Sequence, residues 1–600
     1  MTTTTGTEIY SEAKDRPGWV IPILEEEFDD FETEATAFLN GEREEKQFIG
    51  FRLKQGVYGQ RQADRQMMRV KLPFGGVTPD QLDAFGQVAE RYAPLRKGHI
   101  TTRQNFQFHH MLLKETPAIL RLLGDSGLST REACGNTVRN VTGDPWAGVR
   151  SDEPFDISPY AGAFARYWVR HELTQLLPRK FKVSFSGSDE DAAMGDIHDL
   201  GFIARTKMID GEAVRGFKMV TGGGLSIMAK RALLLREFVS VDDYLRVSEA
   251  VLRIFNRTDW LRKNIAKARI KFLVQKVGEE AFQKMVDEEL EGEWAQQHYP
   301  LDELIFDHDE EAVAAKPAAD PAQPSDDDRT VFEHWVEVNV RAQRQQGYSA
   351  VEVKVPQGDL TPEHFRGLAS ILRTLGSGLA RTTAWQNIVL RWIPDENLYA
   401  VWKALGELGL GEAGAMEVSD IVSCPGTDSC KLGITSSMGL NRAIQAKIEE
   451  MKVTDPLTRR VLINISGCPN SCGQHHIGNI GFHGAAQKSG ERQVPAYKVF
   501  VGGQRRPGQR LEMGQILKTT IAAKRVPIVV ERFLTLYEDQ RDDGEEFNAF
   551  VERVGPETFT AAIDDLKVAP EFSMEAMQEF IDWERDGLYV LERGEGECAV

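Results

Sequence analysis

Four cysteines in two tight pairs are the residues whose type and spacing say most about chemistry. Cys424 and Cys430 form a C-x5-C pair, and Cys468 and Cys472 form a C-x3-C pair after 37 intervening residues. Four thiolates are the number that a [4Fe–4S] cluster needs. Structural zinc sites usually combine pairs spaced C-x2-4-C, and the first pair is wider than that. The spacing therefore favours an iron–sulfur cluster over two alternatives, a zinc site and four unrelated buried cysteines.

The bulk composition bounds the class of protein. A chain of 600 residues is long enough for several domains. The net charge of −19 argues against general nucleic-acid binding. No apolar run is long enough to span a membrane, and the first residues lack the segments of a signal peptide. The two remaining cysteines, Cys134 and Cys598, are far apart in sequence, so we expect no disulfide framework and a cytoplasmic location.

An internal repeat is the second large clue. Thr101-Thr102-Arg103-Gln104-Asn105 has a counterpart in Thr382-Thr383-Ala384-Trp385-Gln386-Asn387. Further matches keep their order, and their offset drifts from 283 residues (Leu72 to Val355) to 280 (Gly201 to Gly481), as duplication with small deletions would leave. The period is too long for a solenoid. We expect two homologous halves packed about a pseudo-two-fold axis, with a ligand between them.

Each half is predicted to be α+β. Alternating apolar and polar residues predict strands at 67–73, 105–112, 180–186 and 460–466. Helical spacing of apolar residues predicts helices at 79–92, 240–256 and 270–291. Residues 307–330 are rich in Ala, Pro and Asp and are predicted to be an exposed linker, and the tail 590–600 is predicted to be loose.

Basic residues cluster in short motifs of the first half. Arg69 lies in Met-Met-Arg-Val-Lys-Leu-Pro, Arg139 in Thr-Val-Arg-Asn-Val-Thr-Gly, and Lys180 and Lys182 in Pro-Arg-Lys-Phe-Lys-Val. Strand alternation directs the two lysines to one side, where such a pair usually forms a solvated sheet face. The first half, however, keeps these cations and lacks the cluster cysteines. That division suggests that one half binds an anion and the other holds the metal centre.

These motifs resemble those of the sirohaem-containing sulfite and nitrite reductases of the ferredoxin-dependent assimilatory type, over about residues 45–535. The resemblance rests on C-x5-C…Gly-Cys-Pro-Asn-x-Cys-Gly, Thr-Thr-Arg-Gln-Asn-Phe-Gln-Phe-His, Val-Arg-Asn-Val-Thr-Gly and Pro-Arg-Lys-Phe-Lys. It implies a [4Fe–4S] cluster bridged to sirohaem, and six-electron reduction of sulfite to sulfide or of nitrite to ammonium. It also implies an internally duplicated fold, in which two pseudo-two-fold-related halves each contain a ferredoxin-like and a sirohaem-binding α+β domain.

The resemblance, the repeat and the linker together divide the chain into seven predicted parts. They are an N-terminal extension (1–45), a ferredoxin-like half-domain (46–125) and a sirohaem- and substrate-binding domain (126–306) of repeat 1, the linker (307–330), a ferredoxin-like half-domain (331–415) and a [4Fe–4S]- and sirohaem-binding domain (416–540) of repeat 2, and a C-terminal extension (541–600).

The resemblance also implies roles for individual residues. The cluster ligands would be Cys424, Cys430, Cys468 and Cys472, of which Cys472 would supply the sulfur shared with the sirohaem iron. The cations around the substrate would be Arg69, Arg139, Lys180 and Lys182. The sirohaem contacts would be Gln60, Arg61, Arg103 and Asn105. Sirohaem carries several carboxylates, so its cavity must be rich in cations. We expect the arginines to bind the anion and the lysines also to deliver protons, because Arg is a poor proton donor at neutral pH.

The choice between the two substrates leans towards sulfite. Plant-type nitrite reductases tend to carry Asn where Lys182 stands, and an additional cation suits a dianion better than the nitrite monoanion. Val-Arg-Asn-Val-Thr-Gly, in contrast, resembles nitrite reductases, so nitrite stays the alternative and both activities in one enzyme are plausible. Some sulfite-reducing members carry a cysteine where Thr137 stands, cross-linked to a tyrosine. Tyr58 is the candidate tyrosine here, but Thr137 cannot form the thioether.

The electron donor is expected to be a separate protein. No G-x-G-x-x-G motif follows a clear strand. The resemblance implies ferredoxin, with a flavoprotein subunit as the rival, and makes a monomer the default. Arg459-Arg460 and Arg505-Arg506 are weak candidates for a docking patch, since solvated surface is the more usual role of such pairs.

Two further interpretations concern the histidines and other functional classes. His109-His110 and His475-His476 are expected to pack or to lie at the surface rather than to bind metal, although His475-His476 could contact the cluster's surroundings. An electron carrier with a cluster but no haem would leave the cations of the first half unexplained, and a structural zinc protein would not match the cysteine spacing.

Overall fold

The fold is given by a computed structural model that describes residues 13–16, 18–594 and 596–597. None of the helices in these ranges combines the length and the apolar character needed to cross a bilayer. The helices whose full extent is described are Glu25–Leu39, Glu45–Lys54, Pro79–Arg91, Thr116–Gly124, Ser158–Trp168, Tyr244–Arg257, Ile270–Val277, Glu279–Leu290, Leu301–Leu304, Asp326–Asn339, Pro362–Leu375, Leu398–Glu407, Ser437–Met451, Pro456–Arg459, Val526–Gln540, Phe547–Val554 and Pro556–Ala562.

Within the described residues, the strands form four five-stranded sheets, two of each kind. Two sheets are antiparallel and have the same strand order in both halves. In the first, the order is Val57–Gly59, Arg65–Val70, Phe106–Leu112, Gly98–Ile100 and Asp359–Leu360. In the second, the order is Val340–Ala342, Tyr348–Val353, Ile388–Pro394, Ala380–Thr382 and Gly76–Val77.

Each antiparallel sheet ends in a strand from the other half. Asp359–Leu360 pairs with Gly98–Ile100, and Gly76–Val77 pairs with Ala380–Thr382. The helix that follows each exchanged strand begins with a threonine capping box and a proline, and these two helices pack against each other. This reciprocal exchange confirms the predicted pseudo-two-fold arrangement of two α+β halves.

The other two sheets are mixed and also match each other. In each sheet, the first three strands along the chain pair in parallel, and the remaining two pairings are antiparallel. The first mixed sheet contains Val138–Gly143, Phe181–Ser186, Leu200–Ile209, Glu212–Thr221 and Leu233–Ser240. The second contains Val422–Ser423, Ile463–Ser466, Ile480–Ser489, Arg492–Val501 and Gln515–Ala522.

The strands predicted at 67–73, 105–112, 180–186 and 460–466 are present, with ends shifted by a few residues. The helix predicted over 240–256 begins only at Tyr244, because Ser240 still belongs to the last strand of the first mixed sheet. The helix predicted over 270–291 is two helices, because Gly278 has a φ of 88° and ends the first of them. Gly555, with a φ of 76°, makes the same break in the second half.

Two segments predicted to be exposed or loose are more ordered than expected. Helix Asp326–Asn339 begins inside the predicted linker, where Ser325 accepts a hydrogen bond from the Asp328 N–H. In the same linker, the carboxylate of Glu310 accepts hydrogen bonds from Arg381 at 3.1 Å and from Trp392 Nε1 at 2.9 Å. In the tail, Glu597 is only 4% exposed. Cys598 lies outside the described residues.

Candidate active site

The cluster cysteines lie on two loops that leave the second mixed sheet at the ends of its parallel strands. Cys424 follows strand Val422–Ser423, and Cys468 follows strand Ile463–Ser466 by one glycine. The loops meet through glycines, since a Cβ on Gly467 would lie 2.6 Å from the Cα of Gly426. A larger residue at position 467 would therefore push the two cysteine loops apart, whereas one at position 426 would collide with Ser437 and Thr435.

Cys472, the exposed member of the four, influences the ionisation of the other three thiols. Burial is the largest cause of the raised pKa of Cys424, about 11, and the nearby Cys472 raises it further. Cys430 and Cys468 likewise have raised pKa values through burial and through Cys472. Bound metal would offset this cost, because thiolates are the ligand form. The Gly467 N–H also donates to Cys424 Sγ at 3.2 Å, which stabilises a thiolate.

The ligand spacing argues against zinc. The first cysteine pair, C-x5-C, is wider than the pairs of structural zinc sites. A cuboidal cluster needs four thiolates spread around a larger core. The arrangement therefore fits a [4Fe–4S] cluster.

The two predicted substrate arginines are held by one carbonyl group. Arg69 Nη1 donates to the Ala133 oxygen at 3.2 Å, and Arg139 Nη1 donates to the same oxygen at 2.9 Å. Arg139 Nε also donates to the Gly135 oxygen at 2.8 Å. Arg69 and Arg139 therefore meet at the loop that precedes the strand Val138–Gly143.

Gln107 fixes the other side of the Arg69 guanidinium. It lies directly opposite Arg69 on the neighbouring strand. Its amide orientation follows from its neighbours: the oxygen accepts from Arg69 Nε at 2.8 Å and Nη2 at 2.6 Å, and the nitrogen donates to His109 Nε2 at 3.3 Å. Gln107 was not among the predicted site residues, although it stands two residues after Asn105 in the Thr-Thr-Arg-Gln-Asn-Phe-Gln motif.

The two predicted substrate lysines lie on strand Phe181–Ser186 and just before it, with Phe181 and Val183 buried on the opposite face. This confirms the alternation inferred from the sequence. Burial lowers the pKa of Lys182 well below its usual value, the neighbouring cations lower it further, and Cys472 acts in the opposite direction. Both lysines are half-buried, and their role towards the substrate stays a prediction.

A buried ion pair supports this strand from behind. The Asp199 carboxylate accepts from the Lys182 N–H at 2.7 Å and from Arg269 Nε and Nη2, both at 2.8 Å. Neither Asp199 nor Arg269 was selected from the sequence, and nothing in their local pattern marks them.

The predicted sirohaem contacts are largely engaged with protein. Arg103 donates to His198 and to the Asn140 carbonyl, and burial lowers its pKa to about 9. Arg61 Nη2 donates to the carbonyl oxygens of Gly433 at 2.7 Å and Glu592 at 2.8 Å.

Gln60 and Asn105 are both buried. The Gln60 oxygen accepts from the His110 N–H at 2.6 Å, whereas the Asn105 Oδ1 has no partner among the described residues. The roles of these four residues towards sirohaem stay predictions.

The structure places one orphaned donor that suits an anionic cofactor. Because His109 Nε2 accepts from Gln107, the proton of this neutral imidazole lies on Nδ1. That nitrogen is buried and has no acceptor among the described residues. A carboxylate of sirohaem would supply an acceptor, so the residues present fit the macrocycle as well as the cluster.

The repeated Thr-Thr motif contains a pair of glutamines that lock the halves together. Gln104 Nε2 donates to the Thr382 oxygen at 2.7 Å, and its oxygen accepts from the Gly143 N–H at 2.8 Å. Gln386 Nε2 donates to the Ile100 oxygen at 2.9 Å, and its oxygen accepts from the Ser423 N–H at 2.8 Å. The second glutamine thereby holds the residue just before Cys424.

The candidate tyrosine, Tyr58, packs against a small cluster of buried residues that contains Ile49, Leu53, Met67 and Cys134. Thr137 is buried, and its hydroxyl donates to the carbonyl oxygens of Glu132 and Cys134, both at 3.3 Å. Position 137 therefore offers no thiol to Tyr58, and the nearby Cys134 is not in a disulfide.

The first half has other residues at the positions of the four cysteines. The Asp144 N–H donates to the Phe185 oxygen at 2.9 Å, as the Cys424 N–H does to the Ile465 oxygen at 3.3 Å, so Asp144 is the counterpart of Cys424. Counting on from Asp144, Arg150 corresponds to Cys430. At the offset of 280 residues, Ser188 and Ala192 correspond to Cys468 and Cys472. In the first half, a buried Asp144–Arg150 ion pair at 2.5 Å occupies the positions that correspond to Cys424 and Cys430.

The structure also places one arginine of the predicted docking candidates and one of the two histidine pairs. Arg505 is 3% exposed and donates to Asn464 Oδ1 at 3.2 Å, so it belongs to neither a docking patch nor a solvated surface. His475 is buried and lies 4.1 Å, centroid to centroid, from the ring of His476. The two rings therefore pack together, and both ring nitrogens of His475 are buried without a hydrogen-bond partner among the described residues.

Comparison with known proteins gives an independent result. The family described as "Nitrite and sulphite reductase 4Fe-4S domain" matches residues 134–293 and 414–569. The family described as "Nitrite/Sulfite reductase ferredoxin-like half domain" matches residues 58–126 and 341–408. Each therefore occurs once in each half.

Similar curated proteins carry both substrate names. A ferredoxin–nitrite reductase of Zea mays is 32% identical over 520 residues, covering 83% of this chain and 85% of that protein. A sulfite reductase [ferredoxin] of Mycolicibacterium paratuberculosis is 27% identical over 496 residues, covering 82% of both. The solved structure of the Mycobacterium tuberculosis NirA protein superposes with a TM-score of 0.73 at 25% identity, covering 92% of this chain and 100% of that one.

Proposed function

The chain belongs to the nitrite and sulphite reductase family, and on this premise we propose that it reduces sulfite to sulfide by six electrons. It is an oxidoreductase of a family that uses a [4Fe–4S] cluster and sirohaem. The observation that carries the proposal is the pairing of Arg69 and Arg139 on one carbonyl, together with Lys182 on the strand Phe181–Ser186. Sulfite can be a dianion, and a second lysine in this set suits it better than nitrite.

The side chains divide the work by their chemistry. When bound, the cluster and sirohaem supply the electrons and the iron that holds the anion. Arg69 and Arg139 bind the anion's oxygens through fixed, permanently charged guanidinium groups. Lys180 and Lys182 add positive charge and hold protons at Nζ, which the departing oxygens need in order to leave as water.

Reduction of nitrite to ammonium is the second candidate. It is favoured by the names of relatives at 30% and 32% identity, which are ferredoxin–nitrite reductases of Synechococcus elongatus and Zea mays. We propose ferredoxin as the electron donor in either case, in line with the names of these relatives.

The first experiment is the visible spectrum of the anaerobically purified enzyme, followed by turnover of sulfite and nitrite with a reduced dye. A Soret band together with a band towards the red is expected for sirohaem. A higher kcat/KM for sulfite would support the proposal, and a higher value for nitrite would replace it with the second candidate. If the bands are absent although sirohaem was supplied during expression, the reductase proposal fails.

A further inference from the structure

The C-terminal segment 580–597 lies beyond both family matches, which end at residue 569. It nevertheless runs along the loop that carries Cys430. Four contacts fix it there: Asp582 Oδ2 accepts from the Ser436 N–H at 2.7 Å, Arg585 Nη2 donates to Asp428 Oδ1 at 2.5 Å, the Tyr589 hydroxyl donates to the Ile434 oxygen at 2.9 Å, and the Gly594 N–H donates to the Lys431 oxygen at 3.0 Å.

The segment ends in a buried carboxylate with partners on both halves. Glu597 Oε2 and Oε1 accept from the two terminal nitrogens of Arg52, both at 2.8 Å. Oε2 also accepts from the Gly59 N–H at 2.9 Å, and Oε1 accepts from Lys431 Nζ at 2.8 Å. Arg52 and Gly59 belong to the first half, whereas Lys431 directly follows the cluster cysteine Cys430.

The pocket for this carboxylate is shaped by Gly59. A Cβ at that position would collide with Glu597 Oε1 and with the Arg52 guanidinium. The φ of Gly59 is not positive. The strain on an alanine at this position would therefore come from this collision and not from the backbone conformation. The side chains of Arg52 and Glu597 are 7% and 5% exposed, so without Glu597 the buried guanidinium of Arg52 would lose its carboxylate partner.

The first half reaches the same loop from the opposite side. The Arg61 N–H donates to the Ser429 oxygen at 2.9 Å, and Gln62 Nε2 donates to the Asp428 oxygen at 2.9 Å. The loop around Cys430 is therefore held between residues 59–62 and the tail, and Glu597 is the point at which these two supports are joined.

We propose that Glu597 is a positioning residue for the cluster, and that the segment 580–597 braces the loop of Cys430 against the first half. The proposal rests on the assignment of Cys430 as a cluster ligand. The brace keeps that loop closed over its sulfur and limits the access of water and oxidants to the metal centre. Its loss should loosen the loop before it affects the substrate cations, which lie on other elements.

The test uses the holoenzyme and three variants: Glu597→Gln, Gly59→Ala and the control Asp586→Asn. Asp586 is the matched control because it lies in the same segment, is exposed and has no ion pair among the described residues. Two quantities are measured, namely amide hydrogen exchange of residues 427–434 and the rate at which cluster absorbance is lost with ferricyanide and a chelator.

We expect Glu597→Gln and Gly59→Ala each to speed both processes by about tenfold or more, while Asp586→Asn behaves as wild type. Exchange in the helix Ser158–Trp168 should stay unchanged, which separates a local opening from global unfolding. Unchanged exchange and unchanged cluster loss in both variants would overturn the proposal. Absence of the cluster from wild-type enzyme would instead count against the assignment of the cysteines, and hydrogen exchange would still test the brace.

Discussion

At the scale of single residues, the site is built by sharing a few fixed acceptors among several cations. Arg69 and Arg139 both donate to the Ala133 oxygen, and Gln107 accepts from the opposite edge of Arg69. Such groups are oriented before substrate arrives, so binding does not have to order them. Lys182 has no comparable rigid fork, and its charge is instead set by burial and by its neighbours.

Substitution of Lys182 tests which anion the cations serve. We expect Lys182→Asn to lower kcat/KM for sulfite by about 100-fold, because a half-buried cation of the proposed anion site is lost. The value for nitrite should fall by less than about tenfold, since a monoanion needs less positive charge. Lys207→Asn is the control, because Lys207 is exposed on the neighbouring strand. Equal losses for both anions would contradict this account of specificity.

Gln107 tests whether the orientation of Arg69 matters for binding. Gln107→Leu removes an acceptor from two nitrogens of the guanidinium, so we expect KM for the anion to rise about tenfold, with a smaller change in kcat. Steady-state kinetics measures the split. Gln66→Leu is the control, because Gln66 is a buried glutamine of the same sheet whose Oε1 has no partner among the described residues. An unchanged KM in Gln107→Leu would show that Ala133 alone suffices.

At the scale of elements, the two Thr-Thr turns join the halves through their glutamines. Both Gln104 and Gln386 have a positive φ, 58° and 71°, so each turn is held in a conformation that side chains rarely adopt. Each glutamine then bridges a turn of its own half, a carbonyl of the other half and the end of a mixed-sheet strand. Each turn therefore fixes the mixed sheet of its own half relative to the antiparallel sheet of the other half.

The pair offers an internally matched experiment. We expect Gln104→Leu and Gln386→Leu each to lower the free energy of unfolding by about 3 kcal/mol, because buried backbone groups lose their partners. Urea unfolding of the two variants measures this. Only Gln386→Leu should also speed the loss of the cluster, because Gln386 holds Ser423 beside Cys424. Equal cluster retention in both variants would show that this contact does not support the metal centre.

At the scale of the whole molecule, the two halves of the duplicated fold have the same strand order but different residues at the site. The strand orders match, and each antiparallel sheet takes its last strand from the other half. The second half holds four cysteines where the first has Asp144, Arg150, Ser188 and Ala192. In exchange, the first half supplies the anion-binding cations.

The buried charges at the counterpart of the cluster should be structural. Arg150→Met leaves Asp144 buried and unpaired, so we expect the free energy of unfolding to fall by about 3–5 kcal/mol. Arg205→Met, which breaks a pair with the exposed Asp189, should cost less than about 1 kcal/mol. Denaturant unfolding measures both. The double variant Arg150→Met with Asp144→Leu should recover part of the loss, and no recovery would contradict the pairing argument.

The sequence alone determined the features that depend on residue type and local period. The cysteine spacing identified a cluster, the ordered matches revealed the duplication, and alternation placed Lys180 and Lys182 on one face, because each signal lies within a short stretch of chain. The helix break at Gly278 was missed, since a glycine inside an apolar pattern can either continue or end a helix.

Only the tertiary structure decided which distant residues meet. The shared Ala133 carbonyl, the Tyr58–Cys134 neighbourhood and the closure of the tail on Arg52 all join residues whose local patterns carry no mark of their partner. The tail shows the reason most clearly. Its composition is that of a solvated end, and its order comes from one carboxylate that finds a buried guanidinium 545 residues away in the chain. Such a contact is set by packing in three dimensions, which local periodicity does not encode.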